Sequence, residues 1–447
     1  MVERGVVGLA ACFTKGKSGL ALGMAIVMML SICLFIIQPS QSNAAVQDLG
    51  LEVESAVLIE AQTGQVLYDF NKDQARPPAS MAKMMSEYIV LEQVSSGKLG
   101  WEDKVTISSS AAGIGGSGGL LAAGEVYTVE ELFKNMSIFS GNDATIALAE
   151  RIAGTEEKFS QMMNDTARAL GLSDTAYFIN STGLPREDMK GMQPESLSGE
   201  TSLTALDAAL IARQIILKHP DALAHTSTTE AYLKPNDERY RMTNWNWMLE
   251  GWIPYNNNFS KLAYEGLDGL KTGHTRAAGY CFTGTAERNG MRLISVVMGT
   301  SSEQKRFLET RKLLDYGFDN FEFNTVLHPK AQLPELPAVG ITKGKVKQVS
   351  VVTEEGMSFL VSKGSTPDNF VLEVTESPPE ERVAPIEKGD VVGKVTVTYT
   401  GEDGATQQQE VNLISTDDAE KANWFVLLLR SIGGFFKDLF NGIKNLF

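Results

Sequence analysis

Alternating apolar and polar residues predict strands at two widely separated places in the chain. The stretch SAVLIEAQTGQVLYDF, residues 55–70, has an apolar run on each side of Gln62-Thr63-Gly64 and predicts a hairpin. The stretch GYCFTGTAERNGMRLISVVMG, residues 279–299, predicts a second hairpin, because Asn289-Gly290 favours a tight turn between alternating runs. One antiparallel sheet can therefore contain both hairpins.

The region between the hairpins has a helical pattern. Apolar residues recur at three- and four-residue steps in VEELFKNMSIF, ATIALAERIAG, EEKFSQMMNDTARALG and SLTALDAALIARQIILKHP. After the second hairpin, SSEQKRFLETRKLLDYGFDNF predicts a long helix that covers the sheet. A sheet built from both ends of this region, with helices between, predicts an α+β fold.

The composition changes after this helix. PKAQLPELPAVG, residues 329–340, predicts a linker. The runs VKQVSVV, FLVS, NFVLEV, VVGKVTVTY and QQEVNLI that follow are short, β-rich and separated by Gly, Pro and acidic turns. They predict a small all-β domain.

The last 25 residues, NWFVLLLRSIGGFFKDLFNGIKNLF, predict an amphipathic helix. Its polar side contains Arg430, Lys437, Asp438, Asn441, Lys444 and Asn445, and its apolar side contains Leu429, Ile432, Phe436, Leu439, Phe440, Ile443 and Phe447. The apolar run is too short to span a bilayer, so we expect the helix to lie in the membrane interface. The alternatives are packing on the β domain or in a dimer seam.

The N-terminus has the pattern of an export signal. Arg4, Lys15 and Lys17 precede an apolar stretch over residues 20–37, and small residues follow at 42–45. We predict a signal peptide over residues 1–44, with cleavage after Ala44 or Ala45. The alternative is a retained helix, since the run approaches the ~18 residues that span a bilayer. Both readings place most of the chain outside the cytoplasm.

Composition excludes several function classes. The 447 residues are 43% hydrophobic and allow two or three domains. A net charge of −15 argues against nucleic acid as a partner. Cys12 and Cys33 lie in the leader, so Cys281 alone remains and no internal disulfide is expected in the mature chain. The four histidines show no metal-binding spacing, which argues against a zinc peptidase.

The stretch PPASMAKMMSEYIV, residues 77–90, contains candidate chemistry. Ser80 and Lys83 are three residues apart, so a helix places the hydroxyl within reach of the amine, as a nucleophile beside a base. Pro77 and Pro78 put Ser80 near the first turn, and the apolar residues around Lys83 favour its neutral form. Alternatively, Ser80 is a helix cap and Lys83 pairs with the residue four positions on, Glu87, at the surface.

The same Ser-x-x-Lys spacing occurs twice more in the chain. Ser95 is followed by Lys98, but Gly97 is expected to end that helix. Ser302 is followed by Lys305 and is expected to cap the long charged helix. Spacing alone is therefore a weak signal.

Two further stretches add polar groups. Ser140-Gly141-Asn142 lies between two helical runs, where the alternative role is a helix cap with Asp143. Lys271-Thr272-Gly273 is expected to enter the strand that carries Cys281, where the alternative is an exposed strand end. Glycine at 273 would let an extended ligand lie against the strand.

In this order, Ser-x-x-Lys, Ser-x-Asn and Lys-Thr-Gly resemble the motifs of the penicillin-binding protein family, and within it the low-molecular-mass D-alanyl-D-alanine carboxypeptidases. The resemblance covers roughly residues 47–320, and the β domain and terminal helix follow the same layout. It implies a serine β-lactamase/transpeptidase-like domain, with helices on both faces of an antiparallel sheet and a helical subdomain. The expected boundaries are 1–44 for the signal peptide, 45–328 for the catalytic domain, 329–417 for the β-rich domain and 418–447 for the membrane-anchoring helix.

The resemblance also implies roles for individual residues. Ser80 would attack the carbonyl between the last two D-alanines of a peptidoglycan stem peptide, and Lys83 would take its proton. Ser140 would relay protons to the leaving amine. The expected substrate-binding residues are Asn142, Lys271, Thr272, Gly273 and His274, with the backbone N–H groups of Ser80 and His274 forming the oxyanion hole. No metal or cofactor is expected, β-lactams are expected inhibitors, and the expected location is the outer face of the cytoplasmic membrane.

Two other functions remain open from the sequence. A serine β-lactamase would need a Glu-x-x-Leu-Asn segment, which DTAYFINSTGLPRED lacks, and Ser140-Gly141-Asn142 departs from the lactamase Ser-Asp-Asn. A non-catalytic envelope protein is disfavoured by the intact motifs. The GxGxxG match at residues 113–118 follows no convincing strand, and no acidic residue stands about twenty positions on, so we expect a flexible loop beside the cleft rather than a nucleotide site.

Overall fold

The computed structural model describes residues 48–118, 121–234, 237–255, 258–401 and 404–433. It divides into two compact units. The first reaches Leu327 and also includes Ser358–Ser365; the second contains His328–Met357 and the chain from Thr366 onward. The predicted signal peptide lies outside the described residues.

The elements are as follows in chain order. The first part contains β1 (Ser55–Glu60), β2 (Val66–Phe70), a 3₁₀ turn (Ala79–Ala82), α1 (Lys83–Ser95), β3 (Lys104–Thr106), α2 (Ser109–Gly113), β4 (Val126–Thr128), α3 (Val129–Ile138), α4 (Asn142–Ala153), α5 (Glu156–Ala169), a 3₁₀ turn (Arg186–Asp188) and α6 (Ala205–Lys218). Then come α7 (Ala222–Thr226), β5 (Glu230–Tyr232), a 3₁₀ turn (Glu238–Tyr240), β6 (Arg241–Thr243), a 3₁₀ turn (Glu250–Tyr255), β7 (Leu267–Thr275), β8 (Gly279–Arg288), β9 (Met291–Thr300), α8 (Glu303–Asn320) and β10 (Phe321–Leu327). The remaining elements are β11 (Ala338–Gly340), β12 (Gln348–Thr353), β13 (Met357–Ser362), a 3₁₀ turn (Pro367–Asn369), β14 (Phe370–Glu376), β15 (Val391–Thr400) and β16 (Thr406–Ser415).

A five-stranded antiparallel sheet, in the order β2-β1-β9-β8-β7, forms the centre of the first unit. Both predicted hairpins are confirmed, and Asn289 and Gly290 have φ values of 52° and 77°, as a tight hairpin turn requires. Val57 and Ile59 join one buried cluster and Leu58 joins another, so both faces of β1 are covered. Helix α6 contacts β1 and β9 on one face, and α8 contacts β8 and β9 on the other.

The predicted helical middle is confirmed as α3 to α6, together with α1. Residues 83–91 of α1 are all buried, because α3, α4, α5 and α6 surround this helix. Thr128 is the N-cap of α3 and forms a capping box with Glu131, which fixes the start of this helix. This arrangement confirms the predicted α+β fold and places α1 among the helices of the subdomain.

One strand belongs to a different unit from the one expected. The run FLVS was assigned to the β-rich domain, but β13 pairs with β10, and Ser358–Ser365 belongs to the first unit. Leu360 is fully buried in the same cluster as Leu58 and Phe318. This pairing could not be predicted, because a short apolar run carries no information about which sheet it joins.

The second unit contains an antiparallel sheet in the order β11-β12-β16-β15-β14. Val395 and Val397 of β15 are buried, with partly exposed residues between them, as the predicted alternation requires. Residues 424–433 form a helix, and the rest of the predicted C-terminal helix lies outside the described residues. In the part of the chain that the structure describes, no helix is long and apolar enough to cross a membrane.

Candidate active site

Ser80 lies in the 3₁₀ turn that precedes α1, and two glycines hold this turn in place. A Cβ on Gly273 of β7 would stand 2.5 Å from the carbonyl oxygen of Pro78, and a Cβ on Gly183 would overlap the carbonyl oxygen of Ala79. We call Gly183 and Gly273 the glycine clamp. The expected reason for glycine at 273, room for an extended ligand, is therefore not the one found: glycine is needed because the chain's own backbone occupies the space.

Lys83 is fully buried, and its amine has three neighbours. Its Nζ lies 2.7 Å from Asn142 Oδ1, 2.9 Å from the carbonyl oxygen of Thr182 and 3.1 Å from Ser80 Oγ. The amide of Asn142 is oriented by its other end, because Nδ2 donates to the carbonyl of Gly115 at 2.6 Å. Burial, and then the charge of Lys271, hold the pKa of Lys83 well below its usual range.

These contacts assign the hydrogens of the amine. A neutral amine has two N–H groups and one lone pair, whereas the two oxygens of Asn142 and Thr182 accept. In the neutral form both N–H groups of Lys83 are used by these two acceptors, and its lone pair faces the hydroxyl of Ser80. The contacts are therefore compatible with an amine that accepts a proton from the hydroxyl.

Ser140 and Lys271 form a second pair. Lys271 Nζ donates to Ser140 Oγ at 2.8 Å, and both side chains are buried. Ser140 has a φ of 60°, a left-handed conformation that is uncommon outside glycine. The preceding carbonyl, that of Phe139, accepts from the Ser117 hydroxyl at 2.8 Å and from the Trp245 indole N–H at 3.2 Å, which fixes the backbone leading to Ser140.

Lys271, Thr272 and Gly273 lie within β7, so the expectation that they enter the strand of Cys281 was wrong. Cys281 belongs to the neighbouring strand β8, where it is opposite Gly273. The exposed strand end is also excluded, since Lys271 is only 2% exposed, and burial lowers its pKa. His274 is exposed and stacks on Tyr280 with ring centroids 4.0 Å apart.

The structure bears on several of the alternative roles considered for the Ser-x-x-Lys segments. Lys83 and Glu87 are both buried, which rules out a surface ion pair between them. Helix α1 ends at Ser95, and Gly97 follows with a φ of 72°. Ser302 caps α8 by accepting from the backbone N–H of Lys305 at 3.2 Å, as predicted.

The GxGxxG stretch lies beside the site. The carbonyl of Gly115 accepts from Asn142 Nδ2, and the carbonyl of Ser117 accepts from the backbone N–H of Asn142 at 2.8 Å. A Cβ on Gly116 would stand 2.7 Å from Asn142 Nδ2. The glycines of this loop therefore allow its backbone to approach α4.

The sequence analysis missed three participants. Thr182 contributes its backbone carbonyl, and Gly183 contributes the absence of a side chain. Neither contribution can be recognised from a local sequence pattern. The available signal was the turn chemistry of Asn180, whose Oδ1 accepts from the N–H groups of Thr182 and Gly183. Glu87 was considered only as a surface partner, although it is 1% exposed.

A cleft of about 700 Å³ opens next to the glycine clamp and His274. It is lined by Pro77, Gly183, Leu184, Pro185, Glu187, Asp188, Glu200, Thr201, His274, Thr275, Arg276 and Ala277. Its mixture of proline, backbone and charged groups suits an extended polar ligand. Among the described residues, no group of His, Cys, Asp and Glu side chains could hold a metal ion.

A serine within hydrogen-bond distance of a buried lysine whose pKa is lowered, beside a second serine–lysine pair, is an arrangement that suits a serine hydrolase. The family model for D-alanyl-D-alanine carboxypeptidase, Peptidase S11, matches residues 41–302. A second model, the C-terminal domain of penicillin-binding protein 5, matches residues 325–421. The chain therefore belongs to the D-alanyl-D-alanine carboxypeptidase family.

Individual relatives agree with this membership. The chain is 35% identical to D-alanyl-D-alanine carboxypeptidase DacF of Bacillus subtilis, over 92% of this chain and 98% of the relative. The crystal structure of a peptidoglycan synthesis regulatory factor, PBP3 of Streptococcus pneumoniae, has a TM-score of 0.69 at 29% identity and covers 83% of this chain and 100% of its own. Penicillin binding protein 5 of Haemophilus influenzae has a TM-score of 0.63 at 29% identity, covering 83% and 98%.

Proposed function

We propose that Ser80 is the nucleophile, and Lys83 the base, of this serine-type D-Ala-D-Ala carboxypeptidase. The observation that carries the assignment is the environment of Lys83 Nζ. Asn142 Oδ1 and the Thr182 carbonyl accept from its two N–H groups. Its lone pair then faces Ser80 Oγ, which lies 3.1 Å from Nζ. The amine therefore takes the serine proton as the oxygen attacks.

The substrate is a peptidoglycan stem peptide that ends in D-Ala-D-Ala. Ser80 Oγ attacks the carbonyl of the penultimate D-alanine, and the backbone N–H groups of Ser80 and His274 bind the oxyanion, where one such donor is worth ~10²- to 10³-fold in rate. Collapse releases D-alanine, whose amine receives its proton through Ser140. Lys271 and Thr272 hold the terminal carboxylate during these steps, and water then hydrolyses the ester on Ser80.

Asn142 binds the peptide and orients Lys83 in this scheme. It orients Lys83 through Oδ1, and the anchoring of its amide by Gly115 keeps that orientation when substrate arrives. β-Lactams acylate the same serine and inhibit the enzyme, because their strained amide reaches Ser80 in place of the peptide bond. No step requires a group from outside the chain other than water.

The activity is tested with a short peptide ending in D-Ala-D-Ala and an assay for free D-alanine. We expect release by the protein and none by Ser80→Ala, with the fold of the variant checked by circular dichroism. Mass spectrometry after exposure to penicillin should locate the adduct on the peptide that contains Ser80. D-alanine release by the variant, or no release by either protein, would contradict the proposal; the second result would favour a non-catalytic envelope protein.

A serine β-lactamase is the second candidate, and the fate of the penicillin adduct separates it from the first. No carboxyl contacts Ser80 in the described residues, whereas β-lactamase deacylation needs an acidic base near the ester. We expect the adduct to persist over many minutes. Rapid, repeated hydrolysis of penicillin would support the β-lactamase instead.

The membrane location rests on the helix at residues 424–433. Its exposed apolar residues are Trp424, Phe425, Leu428, Leu429 and Ile432. Their spacing places them within an arc of roughly 140°, on one side of the helix. Arg430, on another side, donates to the carbonyls of Gly344 and Lys345. An apolar face of this kind suits the interface of a bilayer, so residues 418–447 anchor the exported protein on the outer face of the cytoplasmic membrane.

The anchor is tested by sedimentation of the full chain with vesicles of phosphatidylglycerol and phosphatidylcholine. Replacing Trp424, Leu428 and Ile432 together by serine should reduce vesicle binding and leave D-alanine release unchanged. Unchanged binding would exclude this face as the anchor. N-terminal sequencing of protein recovered from cells tests whether the leader ends at residue 44. In the proposed organisation the catalytic domain, 45–328, and the β-rich domain, 329–417, follow the leader.

A further inference from the structure

The described loop of residues 185–200 has one 3₁₀ turn and no strand, although it forms much of one wall of the cleft. Loops of more than about 15 residues without secondary structure are uncommon in compact domains and usually serve a function. Pro185, Glu187, Asp188 and Glu200 of this loop line the cleft, and we call it the cleft loop. None of its side chains takes part in the proposed reaction.

One guanidinium group holds the cleft loop together. Arg186 donates to the backbone carbonyls of Pro194, Leu197 and Gly199, with distances of 3.3 Å to Pro194 and to Gly199. An arginine side chain presents several N–H donors in a rigid plane, so a single residue can fix three separate points of a loop. The cleft loop therefore takes its shape from Arg186 rather than from a helix or a strand.

The main chain of Arg186 and a bond to α5 complete the loop. The Arg186 N–H donates to Glu200 Oε2 at 3.0 Å, and the Arg186 carbonyl accepts from Gln193 Nε2 at 3.1 Å. Farther along, the backbone N–H of Ser196 donates to Glu157 Oε1 of α5 at 2.6 Å. These bonds join the two ends of the cleft loop to each other and connect its middle to the helical subdomain.

The cleft lies on the acyl side of the bond that reacts. Along β7, Lys271 precedes Gly273 of the clamp by two residues and Thr275 follows it by two, so Lys271 and Thr275 are about 13 Å apart. Lys271 is assigned to the substrate carboxylate, whereas His274 and Thr275 line the cleft. A peptide with its carboxylate at Lys271 and its reacting carbonyl at Ser80 therefore directs its preceding residues into the cleft.

We propose that Arg186 is a positioning residue that determines specificity, because it holds the cleft loop in the shape that receives the stem peptide before D-Ala-D-Ala. The inference rests on the proposed function of Ser80 and deepens it. Arg186 is not among the described residues that line the cleft, so it acts on the substrate through the loop. The enzyme consequently distinguishes an extended stem peptide from an isolated D-Ala-D-Ala unit.

The test compares a stem pentapeptide with acetyl-D-Ala-D-Ala, and D-alanine release gives kcat and KM for each. The pentapeptide reaches the cleft, whereas the acetyl group ends close to Ser80, so the native protein should have the larger kcat/KM for the pentapeptide. For Arg186→Gln we expect KM for the pentapeptide to rise about tenfold, because a surface that has its binding shape for roughly one tenth of the time binds about tenfold more weakly. Both constants for acetyl-D-Ala-D-Ala should stay near their native values.

Two variants separate the cleft loop from general effects on folding. Arg168→Gln also removes a guanidinium that donates to loop carbonyls, those of Ser173 and Ala176, but neither residue belongs to the described cleft lining. It should leave the constants for both substrates unchanged. Arg186→Lys keeps the charge and has a single donor group instead of a planar fork, so its KM for the pentapeptide should be intermediate.

Three results would overturn the proposal. The first is an equal loss for the two substrates in Arg186→Gln, which would indicate a structural role. The second is a loss in kcat for the pentapeptide with KM unchanged. The third is a native protein that does not favour the pentapeptide.

A folding defect is handled by normalising rates to the fraction of Ser80 that penicillin labels. If Arg186→Gln does not fold, Gln193→Ala removes one bond to the main chain of Arg186, and we expect a smaller rise in KM for the pentapeptide alone. An unchanged KM in that variant would refute the inference. Failure of the proposed function itself would appear separately, as no D-alanine release from either substrate or as release by Ser80→Ala.

Discussion

Replacing Gly273 by alanine tests the glycine clamp by adding one methyl group to β7. The new Cβ would stand 2.5 Å from the Pro78 carbonyl oxygen and 3.2 Å from the backbone nitrogen of Met81. Ordinary contacts of a Cβ are about 3.4 Å or longer, so β7 and the turn that carries Ser80 must separate by roughly 0.9 Å. Neither atom is at the end of a flexible side chain, and therefore the backbone itself has to move.

The expected loss follows from the tolerance of the site. Catalytic groups act when they are held within about 0.5 Å of the productive geometry, and a 1 Å displacement costs ~10²-fold. Because Ser80 lies on one side of the gap and Lys271 on the other, we expect the rate of acylation by penicillin to fall ~10- to 100-fold. Overpacking should also lower the free energy of unfolding by about 1–3 kcal/mol.

Quenched-flow acylation read by mass spectrometry measures the rate on the folded fraction, and thermal unfolding measures stability. Gly340→Ala is the matched control: it is also a strand glycine, and its nearest contacts, 3.7 Å to Arg382 and 3.9 Å to Lys347, leave room for a methyl group. Gly340→Ala should match the native enzyme in acylation. A native rate in Gly273→Ala would refute the idea that main-chain contact locates the serine.

Three other changes give distinct readouts. Asn142→Ala leaves an N–H of Lys83 without its acceptor, and such a loss costs about 1–3 kcal/mol, so acylation should slow ~5- to 150-fold in the same assay. An unchanged rate would show that the amine is oriented by other groups. Lys83→Met removes a lysine whose lowered pKa means that the unfolded chain binds a proton that the folded chain does not. The native protein should therefore gain up to about 1.4 kcal/mol per pH unit over the variant as the pH rises towards the ordinary lysine pKa of about 10.4 in chemical denaturation, and parallel pH curves would contradict this sign. Ser302→Ala removes the cap of α8, so we expect it to lower the free energy of unfolding by ~1 kcal/mol and to leave D-alanine release unchanged. Lost activity would implicate the Ser302–Lys305 segment in the reaction.

Local patterns predicted the elements and the motif residues well. The spacing of Ser80 and Lys83 indicated a shared helix face, and Asn289-Gly290 indicated the hairpin between β8 and β9. Ser302 was expected to be a cap and is one. These features depend on residues within a few positions of one another, where periodicity and turn chemistry apply.

Features that depend on distant segments could not be predicted in this way. Lys83 meets Thr182 across 99 positions through a carbonyl group, which every residue has. Gly273 looked like a place for a ligand because its true neighbour, Pro78, is almost 200 positions away in sequence. The burial of Glu87 and the pairing of β13 with β10 likewise follow from how the helices and sheets assemble rather than from any local pattern.

The location of Ser80 by backbone contacts has an evolutionary consequence. Side-chain substitutions near Ser80 have little means of moving its oxygen, since the clamp at Gly183 and Gly273 admits no larger residue. Under antibiotic selection, variants that still trim cell-wall peptides but escape the drug should therefore alter the cleft walls around Leu184 and Arg276. Resistance would then arise from changes in which molecules can reach Ser80, because the backbone contacts fix the position of Ser80 itself.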